Sequence, residues 1–414
     1  MAQTLQGHGP GVTWLSTARY VSDESADRDI LSARLRREKE EGALTQVRLA
    51  EKFGYVGEAY TVRTPDGYIL TIHRISKAAH QNNDQLHRTP VLFGHALGGN
   101  SEEYVAYNHS TSYALVDAGF DVWLGNYRGS FYGRKHVKLN PKMPEFWDFS
   151  WHENAVIDEP TIIDYVLHFT GRPKLFLIGH SMGATAQAVL LASRPEYAKK
   201  KVLGAVLMSP QTYVENPGRY NIFQLVVGTL YSSIPVLKES IKSYVVNGPM
   251  PLYGNCVVTF CFPNNRTEYA NYCRFMIDAV FGKSHKPMTD AQAQTLFAHF
   301  PQGASIRQFM HYAQAMASHG EFRHYDYGPV KNRQLYGSAQ PPSYNFSAIV
   351  TPTYVICGKT DYSPGIQDCL KFVNATPAVK RHLEVPYNHA DFLVSDDVDE
   401  YLNKPIIDIF MKYI

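Results

Sequence analysis

Ser181 stands at the centre of Gly179-His180-Ser181-Met182-Gly183, directly after the apolar run Leu175-Phe176-Leu177-Ile178 and before the small-residue segment Ala184-Thr185-Ala186. A serine so placed can act as a nucleophile. A tight strand-to-helix turn lifts its hydroxyl above the sheet, and the flanking glycines are required because a side chain at either position would strike the strand or helix packed on the turn. The pentapeptide alone arises by chance in about one 400-residue chain in ten. The strand before it and the helix after it therefore carry the argument.

A serine hydroxyl is a poor nucleophile at neutral pH, so it needs a general base and a carboxylate that holds that base in its productive tautomer. At a turn of this kind the chain order is serine, acid, histidine. The run Thr353 to Cys357 leads into Gly358-Lys359-Thr360-Asp361, and His382 to Val385 leads into Pro386-Tyr387-Asn388-His389, so Asp361 and His389 both fall just past strand ends. Ligands of open parallel sheets bind at such ends. With 17 histidines and 38 acidic residues in the chain, order and strand-end position count, not mere presence. Asp391 is the nearest rival acid and is expected to cap or brace the histidine loop. His180 is expected to point away at the turn and serve packing. Charge developing on an attacked carbonyl must be met by preorganised N–H groups. The amide of Met182, at the helix start, and that of Leu97, within Phe93-Gly94-His95-Ala96-Leu97-Gly98-Gly99, are the expected pair.

These residues need a scaffold, and 414 residues with 44% hydrophobic and 19% charged positions suffice for one large core with an insertion. Residues 1–43 are polar and charge-rich and read as an extension with one short surface helix. Residues 44–212 read as the first part of the core. They open with a hairpin, Glu58 to Thr64 and Tyr68 to Ile75, turned at Pro65-Asp66-Gly67. Apolar runs follow at Pro90 to Phe93, Phe120 to Leu124, Leu175 to Ile178 and Leu203 to Met208, with helical patterns at Thr161 to Phe169 and Thr185 to Ser193. The alternation predicts an α/β fold with a mostly parallel central sheet and right-handed crossovers. Residues 213–336, rich in Tyr, Phe, Asn and Pro, interrupt the alternation and read as an inserted cap or lid, with a helical hint at Ile306 to Ala317. Residues 337–414 complete the core and end in a helix from about Val398 to Tyr413.

The net charge of +2 and the lack of basic blocks longer than Lys199-Lys200-Lys201 exclude an electrostatic case for nucleic acid or an acidic membrane. No run reaches the 18 apolar residues of a membrane span, and Met1-Ala2-Gln3-Thr4-Leu5-Gln6 lacks the features of a signal peptide. The chain is thus expected to be cytosolic, or to have lost its signal. Four sequons, at Asn108, Asn265, Asn345 and Asn374, exceed the roughly two expected by chance and point toward secretion. Three cysteines cluster at Cys256, Cys261 and Cys273, with Cys357 and Cys369 downstream, and the odd count leaves at least one thiol free or paired between chains.

Taken together the motifs resemble the acid lipase family, the gastric and lysosomal lipases of the alpha/beta-hydrolase superfamily, over roughly residues 45 to 414. Asp117-Ala118-Gly119-Phe120-Asp121-Val122-Trp123-Leu124-Gly125-Asn126-Tyr127-Arg128-Gly129 is similar to the family's AGYDVWLGNSRG signature. Phe146-Trp147-Asp148-Phe149-Ser150-Trp151-His152-Glu153 resembles FWxFSxDE, and Tyr387-Asn388-His389-Ala390-Asp391-Phe392 resembles the YNHxDF that carries the family's catalytic histidine. The segment carrying its aspartate is matched by Gly358-Lys359-Thr360-Asp361. The resemblance implies hydrolysis of lipid esters such as acylglycerols or steryl esters, under a mobile cap, without metal or other cofactor, in a secreted or lysosomal setting. Contact with a lipid surface would be transient.

Departures from the family pattern are local. Its His-Gly-Leu-Leu is His95-Ala96-Leu97-Gly98 here, and its Gln after the nucleophile is Met182. Both expected oxyanion donors are backbone groups, so these changes bear on pocket shape. The cap cysteine spacing is altered too, leaving Cys256 to Cys261, or either to Cys273, as open pairings. Two other readings stand beside the lipase: a yolk-type storage or lipid-carrying protein on the same scaffold, and a soluble short-chain carboxylesterase.

Overall fold

A computed structural model of the chain describes residues 46–77, 88–215, 274–275, 277–318 and 320–414. The expected N-terminal extension and its helix, most of the first half of the expected cap, Cys256, Cys261, Cys273 and Asn265 lie outside the described residues.

The predicted hairpin forms from β1 (Tyr55–Arg63) and β2 (Tyr68–Lys77), paired antiparallel. Its turn closes because the Thr64 hydroxyl donates to Asp66 Oδ1 at 2.6 Å and accepts from the Tyr68 amide at 2.9 Å, while Gly67 takes a φ of 104°. Then come β3 (Pro90–Gly94), β4 (Asp121–Leu124), the short β5 (Lys135–His136), β6 (Leu175–His180), β7 (Val202–Met208), β8 (Thr353–Gly358) and β9 (Val379–Val385). The sheet order is β1-β2-β4-β3-β6-β7-β8-β9, with β5 beside β2. Pairs from β4 through β9 are parallel and β2 meets β4 antiparallel.

Both faces of the central strands are covered, which is why their sequences read as continuous apolar runs. Successive residues point to opposite sides. Leu92, Trp123, Leu177 and Leu207 join one buried cluster with helices α3 (Glu159–Thr170), α4 (Met182–Ser193) and α6 (Ile366–Ala375); α5 (Ile306–Met316) adds Tyr312 to it. Phe93, Val122, Ile178 and Val206 join the other, with α1 (Gln46–Lys52), α2 (Thr111–Asp117) and α7 (Lys404–Phe410).

Two features depart from the sequence pattern. The C-terminal helix expected from Val398 to Tyr413 splits into a wide π turn over Asp399–Asn403 and the shorter α7. Pro405 explains the split: a proline ring cannot fit the α-helical position of the carbonyl four residues earlier, and it has no N–H to give. The same device recurs at Asn154–Asp158, just ahead of Pro160. Cys357, on β8, and Cys369, on α6, form a disulfide with Cα atoms 5.9 Å apart, a pairing that sequence spacing alone had not singled out.

A buried cation ties the hairpin to the core. The Arg128 guanidinium donates to Asp158 Oδ1 at 2.9 Å and to Asp66 at 2.6 and 3.0 Å, and lies 4.1 Å from the Tyr68 ring. A second tie is aromatic. His311 of α5 stacks on Trp151 at 3.7 Å, and His324 stacks on Tyr344 at 4.2 Å, whose hydroxyl lies 2.7 Å from His152 Nδ1.

Arg128→Met leaves Asp158 buried without its counter-charge. Chemical denaturation is expected to show a loss of about 3–5 kcal/mol, and a loss under 1 kcal/mol contradicts the assignment. Burial holds His152 and His324 down at about 4, with His311 also well below its ordinary value. A depressed folded pKa gives stability that is present above about 6.5 and lost as pH falls through about 4. The slope of stability against pH in that window should therefore flatten in His324→Asn relative to the parent, as read by thermal melts at pH 4, 5 and 6.5.

Candidate active site

Ser181 sits between β6 and α4 with φ 56° and ψ −119°, a left-handed backbone that serine rarely adopts. The turn closes because the residues two positions to either side, Gly179 and Gly183, have no side chains. A Cβ on Gly179 would lie 2.5 Å from the Ala184 nitrogen, and one on Gly183 would collide with the Gly94 carbonyl at the end of β3. The start of α4 is thereby laid directly over the segment that follows β3.

Ser181, His389 and Asp361 lie in one chain of hydrogen bonds. His389 Nε2 is 2.8 Å from Ser181 Oγ, and His389 Nδ1 is 2.9 and 3.1 Å from the Asp361 oxygens. Because the carboxylate only accepts, the ring proton resides on Nδ1 and Nε2 is free to take the serine proton. Asp361 is itself fixed by the Ser363 amide at 2.6 Å and by the Ser209 hydroxyl. The His389 amide donates to the Phe281 carbonyl at 3.0 Å, and the Asn388 side chain donates to Gly282 at 2.7 Å, anchoring the histidine loop against residues 281–282. Asp391 braces that loop as expected, accepting from the amides of Asn388 at 2.9 Å and His285 at 3.1 Å.

His180 does not point away from the base. Its ring lies 4.8 Å from that of His389 and 5.4 Å from that of Phe392. Strand alternation explains this: His180 shares the β6 face of Phe176 and Ile178, and the His389 loop folds over that same face. Burial, with the nearby His389, holds its pKa well below the usual imidazole value. It remains neutral, so no fixed positive charge sits against the base.

The two expected oxyanion donors lie at the start of α4 and in the loop after β3. The Met182 amide opens α4, where the first N–H groups have no partner within the helix. The Leu97 amide belongs to a peptide plane pinned from its other side: the Ala96 carbonyl accepts from the Gly99 amide at 3.0 Å and from His95 Nδ1 at 2.8 Å. In a trans peptide the N–H points opposite to the C=O, so fixing Ala96 O fixes where Leu97 N–H points. His95 can donate from Nδ1 because its Nε2 accepts the Tyr127 amide at 3.1 Å, and burial keeps the ring neutral, with its pKa near 4.

Ser181 and His389 open on a cleft of about 680 Å³, mouth included, lined by apolar side chains such as Leu97, Val280, Phe281, Leu296, Phe300 and Leu393. Ser209, Ser363, Glu103 and Gln211 were not singled out from sequence. Ser209 follows β7 as Ser181 follows β6 and also has a positive φ, 49°, so its strand-end position was the available signal. Three sequon asparagines, Asn108, Asn345 and Asn374, are exposed.

Comparisons with known proteins decide the family. Residues 47–108 match the family model for a partial alpha/beta-hydrolase lipase region, and residues 89–396 match that for the alpha/beta hydrolase fold. Lipase 1 of Drosophila melanogaster is 34% identical over 90% of this chain and 81% of its own length. The chain belongs to the acid lipase family of alpha/beta hydrolases. It is a carboxylic ester hydrolase. Gastric triacylglycerol lipase of Homo sapiens is 30% identical over 87% of this chain and 89% of its own, and that of Bos taurus 29% over 90% and 92%. A solved structure titled as a putative lipase from Sulfolobus solfataricus has the same fold, with TM-score 0.57, 14% identity and coverage of 87% of this chain and 95% of that one. Within the family scaffold, this chain places Ala96 and Met182 beside the expected oxyanion amides.

Asp361→Asn keeps the shape but favours the wrong histidine tautomer. Steady-state kinetics should show kcat lowered by about 10⁴ with the melting temperature close to that of the parent; a loss of less than tenfold contradicts the role.

Proposed function

We propose that the protein hydrolyses carboxylic esters of lipids, of the triacylglycerol or steryl ester class, through an acyl-enzyme on Ser181. The observation that carries this reading is the Ser181–His389–Asp361 hydrogen-bond chain opening on an apolar cleft. Ser181 Oγ attacks the ester carbonyl carbon while His389 Nε2 takes its proton. The carbonyl oxygen, now negative, is met by the amides of Leu97 and Met182, and Asp361 stabilises the imidazolium. Collapse breaks the bond to the alcohol, which leaves with the proton from His389. Water then attacks the acyl-enzyme by the same route in reverse, releasing the fatty acid and restoring the serine.

The apolar lining suits a long acyl chain, and the relatives' names as gastric triacylglycerol lipases support the same class. Residues 213–336 are proposed as the cap, a reading supported by the contacts of Phe281 and Gly282 with the histidine loop beside the cleft. The exposed sequons at Asn108, Asn345 and Asn374, and the buried Cys357–Cys369 bond, support a secreted or lysosomal protein carrying N-linked glycans. Among the described residues no helix is long and apolar enough to cross a membrane, and contact with a lipid surface would be peripheral.

The test is hydrolysis of triacylglycerol and steryl ester emulsions, and of dissolved short-chain esters, by the parent and by Ser181→Ala. Turnover of emulsified long-chain ester that falls by about 10⁶ in the variant is expected. Turnover of dissolved short esters alone favours the soluble esterase, and no turnover of any ester from acid to neutral pH favours storage. Equal rates in parent and variant sink the assignment of Ser181.

A further inference from the structure

We infer that Glu103 is a positioning residue for oxyanion stabilisation: its carboxyl fixes the loop that presents the Leu97 amide. The inference rests on the proposed role of Ser181 and the Leu97 amide, and it adds a residue that no catalytic motif contains.

Glu103 lies in the 3₁₀ turn Ser101–Tyr104, seven residues beyond Ala96, and its Oε1 accepts the Ala96 amide at 2.9 Å. The peptide before Ala96 is thus held by Glu103, and the peptide after it by Gly99 and His95. With both flanking planes pinned, φ and ψ of Ala96 are fixed and the Leu97 N–H has one direction. The fit is close: a side chain on Gly99 would collide with Glu103 Oε2. That oxygen is sealed from water, yet the residue lines the same cleft as Ser181, Ala96 and Leu97.

The charge state follows from the surroundings. Tyr104 stands beside the carboxyl, its own hydroxyl donating to the Gly94 carbonyl at 2.8 Å. From the end of β6 comes His180, held neutral, and from the loop after β9 comes His389. Glu159 of α3 lies beyond Tyr104 and is bonded to Gln187, with its own pKa raised to about 7 by burial. The adjacent Glu102 is turned elsewhere, to His299 at 3.0 Å and the Tyr132 hydroxyl at 2.6 Å. Among the described residues no cation lowers the Glu103 pKa, and burial pushes it up to about 8 against the hydrogen bonds from Ala96 and Tyr104. A protonated Glu103 supports the loop without placing negative charge beside the forming oxyanion. An ionised one keeps the hydrogen bond and opposes that oxyanion.

The experiment measures kcat and KM for one soluble ester from pH 5 to 9.5 in the parent, Glu103→Gln, Glu103→Ala and Ser181→Ala. Glutamine keeps the acceptor oxygen and removes the titration. The parent's kcat should decline above pH 8, and Glu103→Gln should keep kcat within about threefold of the parent at pH 6 and lose that decline. Glu103→Ala should lose about 10- to 100-fold in kcat with KM within about twofold. Parent-like kcat in Glu103→Ala, or an unchanged alkaline decline in Glu103→Gln, overturns the inference. Should Glu103→Ala fail to fold, the pH profile of Glu103→Gln decides alone. Equal hydrolysis by parent and Ser181→Ala overturns the underlying reading instead, and the two failures are told apart by that control.

Discussion

The architecture depends on one crowded turn. Ser181 is held at positive φ where β6, α4 and the end of β3 meet closer than side chains would allow, with Gly179 against Ala184 and Gly183 against Gly94. A strained serine at such a turn persists only where its surroundings over-determine it. Here they are the fully buried β6 strand and a helix whose residues 182–192 are all buried. The close approach has a second effect. It sets the start of α4 against the end of β3, so the constraint that holds the serine also lays the first turn of α4 over the segment that carries Leu97.

Sheet order does the rest. Along β3-β6-β7-β8-β9, each parallel strand ends at the same edge and hands one group to the site: Leu97 after β3, Ser181 after β6, Ser209 after β7, Asp361 after β8 and His389 after β9. Residues separated by up to 208 positions, as Ser181 and His389 are, become neighbours because four consecutive sheet positions are filled by consecutive parallel strands. Second contacts then remove the remaining freedom. Ser209 and Ser363 orient Asp361, the Phe281 carbonyl anchors the His389 backbone, and His95 with Gly99 orients the Ala96–Leu97 peptide.

Much of this was legible in the sequence because it is written in local patterns. Apolar runs covered on both faces read as parallel strands, the Pro65-Asp66-Gly67 turn read as a hairpin, and chain order with strand-end position selected Asp361 and His389 from many acids and histidines. What escaped was non-local or side-specific. His180 was expected to point away, since the sequence does not state which strand face the histidine loop will cover. The Cys357–Cys369 bond depends on where α6 packs against β8, and Glu103 matters only because a 3₁₀ turn brings it back on Ala96. The π turns ahead of Pro160 and Pro405 had a local signal, the prolines themselves.

The central claim is that this geometry makes one serine reactive among all others in the chain. The most direct test is reaction with an alkyl p-nitrophenyl phosphonate, followed by intact mass and peptide mapping. One adduct per chain, located on Ser181 and formed in step with loss of ester hydrolysis, is the predicted result. An adduct on another residue, or full hydrolytic activity after Ser181 is labelled, would contradict the account.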